Sequence, residues 1–409
     1  MTLTREQLLL DLYRAYKDAR RHKRHKDYQL EFEYHLEGNL SELCDELYNH
    51  TYRPRPSTCF IIHDPKMREV FAADFRDRIV HHLFYNYTHV LFERTFIADS
   101  YSCIPGRGTH YGIERLKHHL RSASRNHTRS CYILRLDIKG YFMHIHRPTL
   151  LALCREVMDK MSNHLSDVEG LTWSQKLDYP FVNYLLTSIV ETDCLNDCRM
   201  MGTVDDWKRL PKDKSLFYSS TECGLPIGNL SSQLFSNIYL NQFDQYCKRV
   251  LGCKHYGRYV DDVYVVSADK RALQSWIPAM RDFLNNELGL HLHPHKLRVV
   301  NEWEGVEFLG AFVKPYSCYI SASSLSRMRN KVGKLKNTRT NHLEASVNSY
   351  LGVLSHYDSY HLRYLMFAHH SLLQKSGRFN YSVLKYRLES LPSFRPTPKP
   401  NRKNAAMRH

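Results

Sequence analysis

The spacing of apolar residues along the chain predicts its elements. In "TREQLLLDLYRAYKDA" Leu8, Leu12, Ala15 and Ala19 recur at helical intervals, with Thr4 placed as N-cap and Gln7 as its capping-box partner. The helical pattern runs on to residue 50, with Leu30, Tyr34, Leu40, Leu43 and Leu47 on a second helix. "YRPRPSTCFIIHDPKMREVFAADF" reads as a Pro-bounded pair of short strands. Helical spacing returns over 77–97 and 110–124, around the Gly/Pro loop "SYSCIPGRGTH". "CYILRLDIKGYF" predicts a buried strand with Tyr132, Leu134 and Leu136 on one face and Asp137 on the other. A helix starts near Pro148, and 159–222 gives a mixed pattern. "GLPIGNLSSQ" is a loop feeding a helix on which Phe235, Tyr239, Phe243, Tyr246 and Val250 recur. "GRYVDDVYVVS" predicts a hairpin of strand formers around Asp261 and Asp262. Beyond "VEFLGAFV" the spacing is helical over 322–337, 341–356 and 360–374, and the Pro-rich basic stretch after Leu391 predicts a mobile tail. Strands alternating with helices in the middle, and helices at both ends, give the class α+β.

Composition narrows the partners. The 409 residues carry a formal net charge of +16, which suits a polyanion, and basic residues interleave with aromatics in "RAYKDARRHKRHKDY". With 28 Tyr and 18 Phe the chain is not a disordered one. No apolar run approaches the roughly 18 residues of a membrane span, and the first residues turn polar too early for a signal peptide. Eleven cysteines without regular spacing point to reduced thiols in a cytoplasm. Cys194 and Cys198 have a zinc-ligand spacing but no second matching pair.

Adjacent Asp261 and Asp262 between apolar strands repel one another, and Asp137 ends another strand. Bringing three carboxylates together requires cations among them. Clustered Asp oxygens holding two divalent ions about 3.5–4 Å apart are what in-line phosphoryl transfer uses. Mg²⁺ fits such a site because it takes a few carboxylates and completes its shell with substrate phosphates.

These segments together resemble a reverse transcriptase over roughly residues 60 to 375. "LRLDIKGYF", "GLPIGNLSSQ", "RYVDDVYVV" and "LHLHPHKLRVV" are similar to four successive palm motifs, "VEFLGAFV" to the primer-gripping hairpin and "KMREVFAADFRDRIVHH" to the fingers. The resemblance implies a right-hand polymerase fold with fingers, an antiparallel palm sheet and a helical thumb. It implies that Asp137, Asp261 and Asp262 hold two Mg²⁺, with the Ile138 carbonyl beside them. Tyr141 stands where the family excludes a 2′-hydroxyl. Lys66, Arg68 and Arg76 are expected at the triphosphate or template, Ile227, Gly228 and Gln233 at the incoming nucleotide, and Lys296 as proton donor to pyrophosphate. Phe308, Leu309 and Gly310 are expected to support the primer end.

"PIGNLSSQ" has Ile227 where many relatives carry Gln, and resembles the enzymes of diversity-generating retroelements, as do "FRDRIVHHLF", "DSYSCIPGRGTH" and "SVNSYLGVLSHYDSYHLRY". That branch implies error-prone cDNA copied from a template RNA, marked by errors opposite adenine. It also implies a basic accessory variability protein, for which Glu31, Glu33 and Glu37 are candidate contacts. The expected organisation is N-terminal helices and fingers over 1–95, palm over 96–157, an insertion over 158–222, palm again over 223–315, thumb over 316–391 and a basic tail over 392–409. Lys331, Lys334, Lys336 and Arg339 are expected to follow the duplex backbone. Rival readings are a reverse transcriptase of another bacterial system (retron, group II intron-like, CRISPR-linked or phage defence) and a non-catalytic RNA binder with this fold.

Overall fold

The computed structural model describes residues 2–21, 26–64, 66–334, 340–368, 377–380 and 385–388. The chain divides into two compact units, Met1–Glu302 and Trp303–His409.

At the centre of the first unit is a four-stranded antiparallel sheet in the order His255–Tyr259, Asp262–Ser267, Tyr132–Asp137, Arg298–Asn301. Ile133 and Leu134 are both buried, as are all four residues Val263–Val266. The sheet is therefore covered on both faces, as the expected burial of the strand that ends in Asp137 requires. Helix Lys270–Leu288 packs on three of the strands and Thr109–Ser124 on the fourth. Helix Leu230–Gln245 is buried along most of its length, including Phe235, Tyr239 and Phe243. After it the helix widens into a π-type turn over Tyr246–Val250, which rotates Val250 off the buried face to 70% exposure.

Around this core the N-terminal helices pack against Phe75–Glu93. Helix Arg5–Ala19 buries Leu8, Leu12, Ala15 and Ala19 as its spacing predicts, and Thr4 accepts the Gln7 N–H. The Gln7 side chain does not close the capping box; it donates to Asp11. The following helix breaks at His35 into Asp27–Tyr34 and Leu36–Tyr48. That break restarts the register, so Leu30 and Tyr34 are exposed while Leu40, Leu43 and Leu47 are buried. Strands Thr58–Ile62 and Arg68–Ala72 form the expected hairpin, to which Arg199–Met200 adds in parallel.

The second unit holds a three-stranded antiparallel sheet, Val306–Phe308, Ala311–Lys314 and Ser317–Ile320. Its helices are Ala322–Gly333, Thr340–Leu354 and Tyr360–Arg363, and a hairpin pairs Gly377–Asn380 with Lys385–Leu388. The stretch expected to be helical thus also contains strands. Met328, Val332, Leu343, Val347, Leu351 and Tyr386 form a core of this unit. Lys336, Arg339 and the basic tail lie outside the described residues. No helix among the described residues is long and apolar enough to cross a membrane.

Strand His255–Tyr259 approaches its neighbours at Gly257, where a Cβ would stand 2.4 Å from the Tyr101 hydroxyl and 2.6 Å from that of Tyr264. Those buried rings share a 2.8 Å hydrogen bond and cannot both retreat. Gly257→Ala is expected to lower unfolding free energy by about 1–3 kcal/mol through overpacking. Gly38, inside a helix with open space at its Cβ, serves as the opposite case: Gly38→Ala is expected to add about 0.5–1 kcal/mol. Chemical denaturation of the two variants beside wild type measures both.

Candidate active site

The register of the central sheet brings the acids together. Tyr132–Asp137 and Asp262–Ser267 pair so that Asp137 lies directly opposite Asp262. Tyr259 pairs with Asp262 across a two-residue turn of Val260 and Asp261, and the Ile138 N–H reaches the Asp261 carbonyl at 3.4 Å. All three carboxylates therefore sit at one end of the sheet, where the strands' apolar run stops. Burial first, and then the charges of Asp137 and Asp262, push the Asp261 carboxyl up to about 6. Burial raises Asp262 too, against the pull of Arg135.

Two basic side chains counter this charge. Arg135 grips Asp262 with two bonds, Nε to Oδ1 at 3.2 Å and Nη2 to Oδ2 at 3.0 Å. Lys296 Nζ lies 2.8 Å from Asp137 Oδ1. Its segment is stitched to the strand end: His293 N–H donates to the Asp137 carbonyl and Lys139 N–H to that of His291, both at 2.8 Å. Asp261 has no ion-pair partner among the described residues, and Arg68 attracts it from farther away. Among the described residues no three His, Cys, Asp or Glu side chains are already drawn up as a metal cage. The donor set nonetheless suits a hard cation: three carboxylates gathered at one sheet end relieve their mutual repulsion by sharing a divalent ion.

The loop "GLPIGN" docks on the strand that carries Arg68. Ile227 O accepts the Phe71 N–H at 2.9 Å and Asn229 Oδ1 accepts that of Ala73 at 3.3 Å. Gly228 is required between them, since its φ is +130° and a Cβ would meet the Phe71 carbonyl at 2.8 Å. The Ile227 side chain packs on the apolar cluster of Cys59, Phe71, Met143 and Leu216. Gln233 is exposed on the first turns of the helix that follows. Tyr141 is 3% exposed, and its hydroxyl donates to the Ser236 carbonyl at 2.5 Å.

Other expected residues lie elsewhere. Arg76 is 3% exposed, ion-paired to Glu46, bonded to the Arg53 carbonyl and set over the Tyr52 ring. It braces the start of its helix and does not reach solvent, so the expected phosphate contact gives way to a structural role. Lys66 and Arg68 are exposed at the tip of their hairpin. Phe308 is fully buried; Leu309 and Gly310 form the two-residue turn of the second unit's hairpin, both at positive φ. Glu33 is taken up by Tyr16, Gln29 and Arg20, leaving Glu31 and Glu37 exposed. Cys194 and Cys198 pack on the Cys59 cluster, and all eleven cysteines are free.

Sequence reasoning missed Arg135, Arg258 and Asp244. The signal was present: Arg135 interrupts an apolar strand two positions before Asp137, and Asp244 follows Phe243 on the apolar face of a mostly buried helix.

Residues 63–313, more than half of the chain, match the family described as reverse transcriptase (RNA-dependent DNA polymerase). Protein YkfC of Escherichia coli (strain K12) is 26% identical over 309 residues, covering 67% of this chain and 71% of its own length. Among solved structures, telomerase from Candida albicans in complex with a TWJ fragment of telomeric RNA is similar at a TM-score of 0.46 and 11% identity, over 79% of this chain and 58% of that one. Apo telomerase from Candida tropicalis is similar at 0.47 and 10% identity, over 76% and 59%. The chain spans less than two thirds of these telomerase chains. By the match that runs from the first hairpin through the acid-bearing sheet, the chain belongs to the reverse transcriptase family, the RNA-dependent DNA polymerases.

Proposed function

We propose that this protein copies a retroelement template RNA into error-prone cDNA, as the polymerase of a diversity-generating retroelement. The observation that carries the polymerase reading is the register that sets Asp137 opposite Asp262 with Asp261 at the adjoining turn. Asp137 and Asp261 would hold two Mg²⁺, with Asp262 and the Ile138 carbonyl completing the donor set. The bound ions supply charge neutralisation at the attacking 3′-oxygen and the departing pyrophosphate. Lys66 and Arg68, exposed on the hairpin beside the acids' loop, take the triphosphate; an Arg fork suits phosphate and a Lys acts as a point charge. Lys296 Nζ leaves Asp137 and gives a proton to the pyrophosphate oxygen. The Tyr141 ring is the wall against a 2′-hydroxyl, and Leu309 with Gly310 supports the primer end. Residues 1–95 then act as N-terminal helices and fingers, 96–157 and 223–315 as palm, 158–222 as its insertion and 316–391 as thumb.

The retroelement branch rests on "PIGNLSSQ". A Gln amide at position 227 could hydrogen-bond an incoming nucleotide, and Ile227 offers only shape; losing a polar contact weakens discrimination. The branch adds a basic accessory protein as partner, meeting exposed acids such as Glu31 and Glu37.

Purified protein with Mg²⁺, an RNA template, a DNA primer and dNTPs is expected to extend the primer. Asp261→Asn is expected to lose at least about a hundredfold in rate, a loss of at least about 2.7 kcal/mol in transition-state stabilisation. Equal extension by both proteins would leave only an RNA binder. Sequencing the cDNA of Ile227→Gln is expected to show fewer errors opposite template adenine than wild type; an unchanged spectrum removes position 227 from fidelity.

Asp261 also predicts a pH dependence of stability. Its folded-state pKa of about 6 lies above the unfolded value, so folding takes up a proton between roughly pH 4 and 6. The metal-free protein then loses stability as pH rises through that window and bears the full cost above it. Thermal melts without divalent ions are expected to show Asp261→Asn more stable than wild type at pH 7.5 and level with it at pH 4. Added Mg²⁺ is expected to raise the wild-type melting temperature at pH 7.5 more than that of the variant.

A further inference from the structure

The turn that presents the two adjacent acids is strained. Val260 has φ of +55°, a left-handed conformation that a β-branched residue avoids. Such a conformation persists only where its surroundings over-determine it. Here both backbone polar groups of Val260 are held. Its N–H donates to Ser102 Oγ at 3.2 Å, and its carbonyl accepts from Arg258 Nη1 at 3.1 Å.

Arg258 is 0% exposed and so is its partner Asp244. Nε and Nη2 reach the two Asp244 oxygens at 2.7 and 2.6 Å. Nη1 is left to bridge Val260 O and Asn237 Oδ1, the latter at 3.2 Å. Asn237 closes the circuit, accepting from Ser102 Oγ at 3.0 Å and donating to the Ser102 carbonyl at 2.7 Å. Asn237 and Asp244 are seven residues apart on one helix, two turns along the same face. A buried ion pair contributes little net stability compared with well-packed apolar groups. What an apolar pair could not supply is a donor aimed at the Val260 carbonyl.

We propose that Arg258 is a positioning residue for nucleotide addition: anchored on Asp244, its guanidinium holds Val260 in its strained conformation and so fixes where Asp261 and Asp262 point. Ser102 and Asn237 complete the clamp. The proposal rests on the polymerase reading and adds to it residues that touch neither substrate nor metal.

Arg258→Lys keeps a cation for Asp244 but removes the arm to Val260. It is expected to retain the wild-type melting temperature and template–primer affinity while losing about 10–100-fold in single-turnover nucleotide addition, the scale of a misplacement of about 1 Å. In a Val260→Gly background, where glycine adopts positive φ unaided, the same substitution is expected to cost less than about threefold. Wild-type rates in Arg258→Lys, or equal losses in both backgrounds, would overturn the clamp. Where Lys proves too short to keep the fold, Arg258→Met with Asp244→Leu replaces it and is expected to fold and lose the same rate; full activity in that double variant overturns the proposal. Should wild type itself fail to extend a primer, the polymerase reading fails, and amide exchange then decides the clamp alone. Exchange at Val260–Asp262 is expected to quicken in the clamp variant, with Leu134 unchanged; identical exchange overturns it.

Discussion

Mutual repulsion among three carboxylates is the constraint around which the first unit is organised. Cross-strand register leaves Asp137 and Asp262 no freedom to separate, and the turn fixes Asp261 beside them. Like charges placed directly opposite on a sheet destabilise it. The fold accepts this at one end of the sheet, and sets Lys296 and Arg135 against two of the three acids. The remaining acid, Asp261, has the proton affinity raised to about 6. A site in which one carboxylate keeps an unmet demand for positive charge is prepared for a cation arriving with its substrate.

One helix links the parts that must act together. Its leading loop is stitched to the Arg68 strand through Phe71 and Ala73, and its second turn onward carries Asn237 and Asp244 under the acidic turn. Ser231 at its start meets His81 at 2.6 Å, tying in the Phe75–Glu93 helix as well. The hairpin that carries Arg68 is thus joined to the residues under the acidic turn through one short loop and the helix that follows it. The same connection explains why residue 227 sits at a mechanically sensitive point: its carbonyl holds Phe71 while its side chain fills the apolar cluster behind.

Much of this was legible in the sequence where a local rule governs. Thr4 caps its helix, the strand after Asp261 lies where Val and Tyr accumulate, and the three acids converge as the resemblance to the family implies. Failures came where distant partners decide. Leu30 and Tyr34 fit a helical stripe, but a break at His35 resets the face, and no local residue announces it. Arg76 reads as a free cation until Glu46 and Tyr52, over twenty positions earlier, fold onto it. Nothing within its own segment marks Gly257, since only the fold brings the Tyr101 and Tyr264 rings against it. Spacing within one segment reports periodicity and caps; it carries no information on which long side chain from elsewhere will claim a charge.

Arg135 and Lys296 differ in what their departure would cost. Arg135 makes a two-bond fork from the neighbouring position on the sheet, with its side chain 32% and that of Asp262 19% exposed. Lys296 makes one bond from a turn and is 43% exposed. A rigid planar fork loses two oriented bonds on leaving, whereas an ammonium on a flexible stem exchanges one partner for water. Asp137 is therefore the acid more readily released to a new ligand, and Asp262 the one more firmly retained by the protein. On this argument the three carboxylates are unequal before any substrate arrives: Asp261 unpaired, Asp137 loosely held, Asp262 anchored. The division matches the roles proposed for them, since the two acids assigned both ions are the two that the protein's own cations hold least.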